Sequence, residues 1–340
     1  MPYPKIRKMI FNKVAPLENV LEIFLITYNR SSSLDNSLRQ LKDSPFAACR
    51  FTVLDNCSTD NTPKVIARYS KHFPDCHMIR HPRNIGGDYN FLRAVELSTS
   101  RYTWILCDDD DYDFSNAQDV ISAIESCMYD HIYVASRSSV QLGWKGFGEV
   151  RAQQLIIAGA RVHRACAFWP SLIFRTEWYD TDCFAPAPHL FPSFKFISKM
   201  IEHNHMIYVS EHPIVIRGEV CASEQFPLKL YKEWVENAAL INDNNLRRYV
   251  IEQWTDKGFM KTLCFWIAVD RAKRTEGYWK RLVDILFALA PIQKLKFMAL
   301  LPVMIIPLPM SLLLRTREYV YRAMGHSDVK NLPPVHEEMR

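Results

Sequence analysis

The sequence lacks the cysteine patterns that stabilise small secreted domains or bind structural zinc. Its nine cysteines are an odd number, and the two nearest in sequence, Cys49 and Cys57, leave no CxxC motif or Cys/His cluster anywhere in the chain. The basic N-terminal stretch MPYPKIRKMIFNKVAP also lacks the apolar centre of a secretory signal. These absences argue against structural zinc and predict a protein of the reducing cytoplasm.

Internal repeats and low-complexity linkers are also absent from the 340 residues, of which 48% are hydrophobic. That apolar content is ample for the core of one large α/β domain with an appendage, and it excludes a disordered chain. The net charge is only +5, so any strongly basic surface must be local.

The basic residues are concentrated near the C-terminus, where residues 271–330 hold eleven Lys and Arg against four Asp and Glu. Lys294, Lys296, Arg315 and Arg317 flank FMALLPVMIIPLPMSLLL (297–314), which has eighteen residues without a charge. This arrangement argues against nucleic acid as the binding partner of the basic region and favours an anionic membrane surface. A helix of that length would be roughly 27 Å long, marginal for a span, and three prolines disfavour a straight one. We expect the segment to lie in or dip into the inner membrane face; a helical hairpin packed on the core is the alternative.

Strand and helix patterns alternate from residue 20 onward. Short apolar runs such as VLEIFLIT (20–27) and YTWILC (102–107) are each followed by a helical pattern, and polar caps mark several helix starts. The order through residue 137 is β-α-β-α-β-α-β-α-β, which predicts an α/β fold with a mostly parallel central sheet and helices on both faces. Further strands are predicted within 171–175 and 205–218, with a helix between them, and helices beyond residue 223.

Four polar clusters directly follow the first four predicted strands. They are TYNR (27–30), DNCSTDNT (55–62), HPRNIGG (81–87) and DDDDYD (108–113). Ligands of open parallel sheets bind outside the carboxyl ends of the strands. The clusters therefore predict one ligand cleft along this edge.

The last cluster places four carboxylates at the end of a buried strand, where a cation is needed to offset their repulsion. An EF-hand does not fit, because position six counted from Asp108 is Asp113 and not glycine. An aspartyl phosphatase would carry its nucleophile after the first strand, where this chain has Thr27 and Tyr28. A solvated acidic loop is the simplest alternative. Mg²⁺ or Mn²⁺ shared with a nucleotide diphosphate is the interpretation that also uses the other three loops.

Taken together, ITYNR, LDNCSTDNT, RNIGGDYNFLRAVELS and a strand that runs into D-x-D resemble the family-2 glycosyltransferases of the Rossmann-like GT-A fold. The resemblance covers roughly residues 20–130. It implies a nucleoside-diphosphate sugar donor, a divalent metal, and transfer with inversion to a glycan or lipid-linked acceptor. It also implies contacts to the nucleotide from Thr27, Tyr28, Asn29, Arg30, Asp55, Arg83, Asn84, Gly86 and Asp108.

The resemblance assigns the D-x-D to Asp108 and Asp110, with Asp110 as the first choice for direct metal contact. Asp109 is expected on the opposite side of an extended backbone, where it would be solvated or hydrogen-bonded to the scaffold. Two roles stay open for Asp111: it supports the metal site, or it contacts the acceptor. With His189, it is one of the two candidate catalytic residues.

An inverting displacement needs a general base near the acceptor hydroxyl. The family often supplies one from a Glu-Asp pair, but the matching region here reads APAPHLFPSFKF and has no carboxylate. His189 is the nearest titratable group, and Asp180 and Asp182 are the fallbacks.

The predicted organisation is a leader (1–18), a GT-A catalytic domain (19–222), a helical extension (223–292), a membrane-associating segment (293–325) and a tail (326–340). The predicted function is a glycosyltransferase of surface polysaccharide synthesis. Two alternatives stay open: a nucleotidyltransferase that makes the sugar nucleotide, and a non-catalytic binding protein of the same fold. The first would ordinarily carry a glycine-rich loop after the first strand, and TYNRSSSLDN has no glycine.

Overall fold

A computed structural model describes residues 15–137, 142–179, 193–217 and 236–254. The apolar stretch 297–314, residues 1–14 of the predicted leader and most of the predicted helical extension lie outside these ranges. Within the described part of the chain, no helix is long and apolar enough to cross a membrane.

An eight-stranded sheet forms the centre of the described fold, in the spatial order β3-β2-β1-β4-β8-β6-β9-β7. Its strands are Leu21–Thr27 (β1), Arg50–Asp55 (β2), Cys76–Arg80 (β3), Tyr102–Cys107 (β4), His131–Tyr133 (β6), Gly148–Arg151 (β7), Leu172–Arg175 (β8) and Met206–Val209 (β9). Two further strands, Asp111–Tyr112 (β5) and Val215–Arg217 (β10), form a small antiparallel sheet.

Helices cover both faces of the sheet, as the sequence predicts. They are Leu17–Val20 (α1), Ser31–Lys42 (α2), Thr62–Tyr69 (α3), Gly87–Leu97 (α4), Gln118–Ser126 (α5), Ala152–Ile157 (α6), Val162–Cys166 (α7), Ser193–Glu202 (α8) and Asn244–Trp254 (α9). Successive residues of β1 point into opposite cores: Phe24 packs with α4 and the later helices, whereas Leu25 packs with α2, α3 and α5. This two-sided burial explains why the strand reads as a continuous apolar run.

Strands β1 to β4 run parallel, but the rest of the sheet departs from the prediction. The predicted fifth parallel strand, β6, is separated from β4 by β8, which is antiparallel to both. Because two reversals cancel, β6 still points the same way as β4. The predicted strand region 205–218 is two strands, β9 and β10, which belong to different sheets.

The strand order places the functional loops together. Strands β2 and β3 lie on one side of β1, and β4 lies on the other side. The order in which strands are added to the sheet therefore reverses between β1 and β4. Such a switch point opens a crevice at the carboxyl ends of the strands. Thr27 at the end of β1 and Asp108 after β4 both lie at this point.

Candidate functional site

A hydrogen bond closes the base of the crevice between β1 and β4. Thr27 Oγ1 donates to Asp108 Oδ2 over 2.6 Å, and both residues are buried, each 3% exposed. On the other side, Thr27 stands opposite Asp55 in the register of β1 and β2. Thr27 thus lies between two buried carboxylates, each at the end of a neighbouring strand.

The acidic run is a turn followed by the short strand β5, not an extended segment. Asp108 and Asp109 form the turn, and Arg30 bridges them: its Nη1 lies 3.2 Å from Asp108 Oδ1 and also donates to Asp109 Oδ2. Asp109 is thus hydrogen-bonded to the scaffold, one of its two expected surroundings, but it shares its partner with Asp108 instead of lying on the opposite side of an extended backbone. The turn breaks the two-residue alternation on which that expectation rested.

Helix α2 supports the turn from below. Ser37 Oγ donates to the carbonyl oxygen of Asp108 at 3.0 Å, and it lies 3.3 Å from the carbonyl oxygen of Asp110. Tyr112 is tied to Cys107 through its hydroxyl, which donates to the Cys107 carbonyl at 2.9 Å and lies 3.5 Å from Asp110 Oδ2. The backbone of the acidic turn is thus fixed by side chains from α2 and β5.

Burial controls the protonation of the cluster. The pKa of Asp110 is raised to about 9, first by burial and then by the neighbouring charges of Asp109 and Asp108. The pKa of Asp108 rises only to about 6, because Thr27 and Arg30 offset part of the burial effect. Burial and the adjacent carboxylates hold the pKa of the Cys107 thiol well above its usual range. Cys107 is therefore a neutral neighbour of the carboxylates.

One group of side chains in the described residues meets the spacing of a metal site. The ligand atoms of Cys107, Asp109 and Asp110 all lie within 4.8 Å of one another. Because hard ions such as Mg²⁺ and Mn²⁺ prefer oxygen to sulfur ligands, the carboxyl groups of Asp109 and Asp110 are the donors that suit them. The donor set therefore fits the predicted ion, with Asp110 included as expected but with Asp109 where Asp108 was expected.

Asp111 starts β5 and is held from α2, because Asn36 Nδ2 donates to its Oδ1 over 2.6 Å. The side chain is only partly buried, so it borders the crevice without being closed off. His189, Asp180 and Asp182, the predicted candidates for the general base, lie outside the described residues.

Asp55 is the centre of the second loop. Its side chain is fully buried; Oδ1 accepts from the Ser58 N–H at 2.9 Å, while Oδ2 has no hydrogen bond and lies 3.4 Å from Arg80 Nε. A buried carboxylate oxygen without a donor favours a ligand N–H or O–H.

The first and second loops hold each other in place. Asn29 has a left-handed backbone, φ 51°, which asparagine tolerates. Its N–H donates to Ser58 Oγ at 2.9 Å, and its Oδ1 accepts from the Thr59 N–H at 2.7 Å. Asp60 accepts from the first N–H groups of both α2 and α3, at Ser31 and Thr62. Tyr28 is 41% exposed beside this junction.

The third loop is joined to the second through two asparagines. Asn56 Nδ2 donates to Asn84 Oδ1 at 2.8 Å, and Asn56 Oδ1 accepts from the Ile85 N–H at 2.8 Å. Gly86 has φ 87°, a conformation that favours glycine, and the space where a side chain would stand is open. Arg83 is exposed. The structure thus brings three of the four predicted loops into direct hydrogen-bond contact and joins the fourth through Thr27 and Arg30.

Several residues that position the site were not predicted from the sequence: Asn36, Ser37, Asn56, Arg80 and Tyr112. A signal existed for Ser37, a polar residue on the face of α2 that carries Leu34, Leu38 and Leu41. A small hydroxyl on an apolar helix face usually has a partner to bond. No comparable signal marks Asn36 or Arg80, because each lies among other polar residues.

Known proteins resemble this chain in sequence and in fold. Residues 22–165 match the family Glycosyl transferase family 2. Abequosyltransferase RfbV of Salmonella typhimurium is 34% identical over 88 residues, which are 25% of this chain and 26% of that protein. The alignment thus spans about a quarter of the length of this curated relative.

Two solved structures share the fold over most of the chain. S. aureus TarS 1-349 in complex with UDP-GlcNAc has a TM-score of 0.58 at 17% identity, covering 80% of this chain and 82% of that one. Mannosyltransferase PcManGT from Pyrobaculum calidifontis, in complex with GDP-Man and Mn²⁺, has a TM-score of 0.50 at 14% identity, covering 95% and 90%. At these identities the likeness concerns the fold, and it confirms the predicted mostly parallel α/β architecture.

Proposed function

We propose that this chain, whose residues 22–165 match glycosyl transferase family 2, moves a sugar, with inversion, from a nucleoside-diphosphate sugar to a glycan or lipid-linked acceptor. The process it serves is the synthesis of a surface polysaccharide such as capsule, O-antigen or lipopolysaccharide. The relatives named above support this class, since one is an abequosyltransferase and the others were solved with UDP-GlcNAc and GDP-Man.

The observation that carries the proposal is the placement of two acidic sites on either side of Thr27. Asp55 offers a buried oxygen without a hydrogen bond on one side, and the Asp109–Asp110 pair offers two oxygens on the other. A nucleoside needs a hydrogen-bond acceptor at one end of such a crevice, and a diphosphate needs a cation at the other. An Mg²⁺ or Mn²⁺ ion held by Asp109 and Asp110 would stabilise the charge that develops on the leaving diphosphate.

The other loops would bind the nucleotide. Thr27 to Arg30 line the nucleoside side, and Arg83, Asn84 and Gly86 border it from the third loop. Asp108 connects the nucleoside side of the crevice to the metal side through its hydrogen bond to Thr27. We assign Asp111 as the described candidate for the general base, because Asn36 orients it and leaves it partly accessible; His189 remains the alternative.

The chain would work at the inner face of the membrane. The support is the apolar segment 297–314 with its basic flanks, which suits a lipid-linked acceptor at an anionic surface. The protein would then be cytoplasmic and bind the bilayer peripherally.

Incubation of the full chain with a panel of radiolabelled sugar nucleotides and Mn²⁺ tests the proposal. We expect donor hydrolysis or transfer that stops on chelation and in Asp110→Asn. Asp43→Asn, which removes an exposed carboxylate at the end of α2, should leave the activity unchanged. Turnover with none of the donors would contradict the proposal.

Two further readouts distinguish the alternatives. Release of pyrophosphate from a nucleoside triphosphate and a sugar phosphate would indicate a nucleotidyltransferase. Calorimetric binding of UDP or GDP that is unaffected by Mn²⁺, together with no turnover, would indicate a binding protein.

A further inference from the structure

We infer that Arg30 is an exchangeable internal cation: it neutralises the acidic turn when no metal is bound and leaves it for the donor diphosphate when a metal enters. The inference rests on the proposed function and concerns how the same site is loaded. It assigns to Arg30 a role in the affinity for the metal as well as in nucleotide binding.

The geometry places Arg30 in competition with a metal. Its guanidinium contacts the carboxylates of both Asp108 and Asp109, and Asp109 also belongs to the group that meets metal spacing. A guanidinium and a divalent ion repel each other at such separations, so the two cations cannot both bind Asp109 without a penalty. One of them must withdraw.

Arg30 is the most exposed of the three side chains. Its side chain is 38% exposed, whereas that of Asp108 is 3% exposed and that of Asp109 is 13% exposed. Arg30 stands immediately before α2, in the loop that borders the predicted nucleotide, so a small change in its rotamer keeps it beside the ligand. A guanidinium also pairs well with phosphate oxygens.

The carboxylates do not depend on Arg30 for their position. Thr27 holds Asp108 through the 2.6 Å hydrogen bond, and Ser37 holds the backbone of the turn. Loss of the guanidinium should therefore leave the site in place with one more uncompensated negative charge.

This arrangement predicts effects of opposite sign for one substitution. Arg30→Gln should bind Mn²⁺ about tenfold more tightly than the wild type in the absence of nucleotide, because a repelling unit charge is gone. The same variant should bind UDP or GDP, with Mn²⁺ saturating, about tenfold more weakly. A purely structural role for Arg30 would weaken both.

The experiment is a Mn²⁺ titration of the full chain followed by electron paramagnetic resonance, with and without UDP or GDP, at constant ionic strength. Arg30→Lys keeps the charge and should stay within a few-fold of the wild type for the metal. Arg68→Gln removes an arginine paired with Asp35 on the surface of the fold and should change neither affinity. Equal or weaker Mn²⁺ binding by Arg30→Gln would overturn the inference while leaving the proposed function standing. Failure of the wild type to bind Mn²⁺ and both nucleotides would overturn the two together.

A second measurement needs no folded variant. Modification of wild-type Arg30 by phenylglyoxal, quantified by mass spectrometry, should become several-fold faster when Mn²⁺ alone is added. It should become slower than in the free protein when Mn²⁺ and nucleotide are added together. Modification unaffected by Mn²⁺ would contradict the exchange.

Discussion

A buried pair of histidines far along the sheet from the acidic turn predicts how the fold responds to acid. His131 on β6 is fully buried, and His205, just before β9, is 5% exposed. His131 Nε2 and His205 Nδ1 share a hydrogen bond of 2.9 Å, and the outer ring nitrogens, His131 Nδ1 and His205 Nε2, have no partner in the described residues. The pair is therefore built for the neutral form of both rings.

Burial sets the direction of both pKa shifts. It lowers the pKa of His131 well below the usual range, with repulsion from His205 and Arg175 adding to the effect. It lowers the pKa of His205 to about 4, although the nearby Asp130 opposes the change. The packing agrees: Trp178 lies over the His205 ring at 4.3 Å, and Phe196 meets the edge of His131 at 5.1 Å.

The sign of the stability change follows from linkage. Because the folded pKa is lower than the unfolded value, the contribution to stability is complete above about pH 6.5 and is lost as the pH falls from there toward pH 4. At pH 5 a shift of the size given for His205 removes about 2 kcal/mol of the free energy of unfolding. Since typical domains have only about 5–15 kcal/mol, this is a measurable share.

The assay is urea denaturation at pH 7.5 and pH 5.0, which gives the free energy of unfolding at each pH. A variant that lacks His205 is needed to isolate its contribution, because other groups titrate as well. The raised pKa values of Asp108 and Asp110 act in the opposite direction, stabilising the folded state as the pH falls. We expect the wild type to lose about 2 kcal/mol more than His205→Gln between the two pH values. The exposed His72→Gln control should follow the wild type.

Parallel pH profiles for the wild type and His205→Gln would refute the reasoning. They would mean that the pair accepts a proton in the folded state without penalty. A change in the urea m-value between the two would instead show that the variant altered the compactness of the native or the denatured state, so the m-values must agree before the comparison is made.

Three further predictions concern the site and the membrane. Asp109→Asn should lower the Mn²⁺ affinity by about 100-fold, measured by titration, because it removes a carboxylate of the metal group. Asp108→Asn should lower it by less than tenfold, and the reverse order would support a metal between Asp108 and Asp110. Gly86→Ala should cost about 1 kcal/mol in urea denaturation because of its positive φ, whereas Gly87→Ala, which has open space and no such φ, should be neutral or stabilising; equal losses would contradict the backbone argument. Neutralising the four basic residues that flank 297–314 should weaken the free energy of binding to vesicles of anionic lipid by about 1 kcal/mol per charge, measured by co-sedimentation. Unchanged binding would remove the electrostatic part of the membrane proposal.

The first half of the fold could be predicted because β1, β2 and β4 are buried along almost their whole length and therefore read as apolar runs. Beyond β4, local patterns do not report which strand pairs with which. The run SLIFR predicts a strand, and β8 is one, but nothing in those residues places it between β4 and β6. Strand β5, with only two residues, is too short to give a periodic signal at all.

The loops of the site could be predicted because the carboxyl ends of parallel strands meet at one edge, whatever the details of packing. Their internal geometry could not. Whether Asn56 bonds to Asn84 or to a ligand depends on the path of the third loop, and sequence spacing does not fix that path. The helix residues beneath the loops were missed for a related reason: Asn36 and Ser37 reach the acidic turn only once α2 packs against it.

The acidic turn shows what the backbone adds to a count of charges. A strand would separate four successive carboxylates into two alternating pairs, which is compatible with the D-x-D assignment of a metal to Asp108 and Asp110 that the family resemblance implies. The turn instead gives each carboxylate a different neighbour: Thr27 for the first, Arg30 for the second, and Asn36 for the last, while Asp110 stays buried beside Tyr112. Asp108 is already bound by Thr27 and Arg30, and Cys107 offers only a thiol sulfur, so the adjacent Asp109 and Asp110 supply the oxygens best placed for a divalent ion. The comparison of Asp108→Asn with Asp109→Asn therefore decides between the geometry of the turn and the pattern in the sequence.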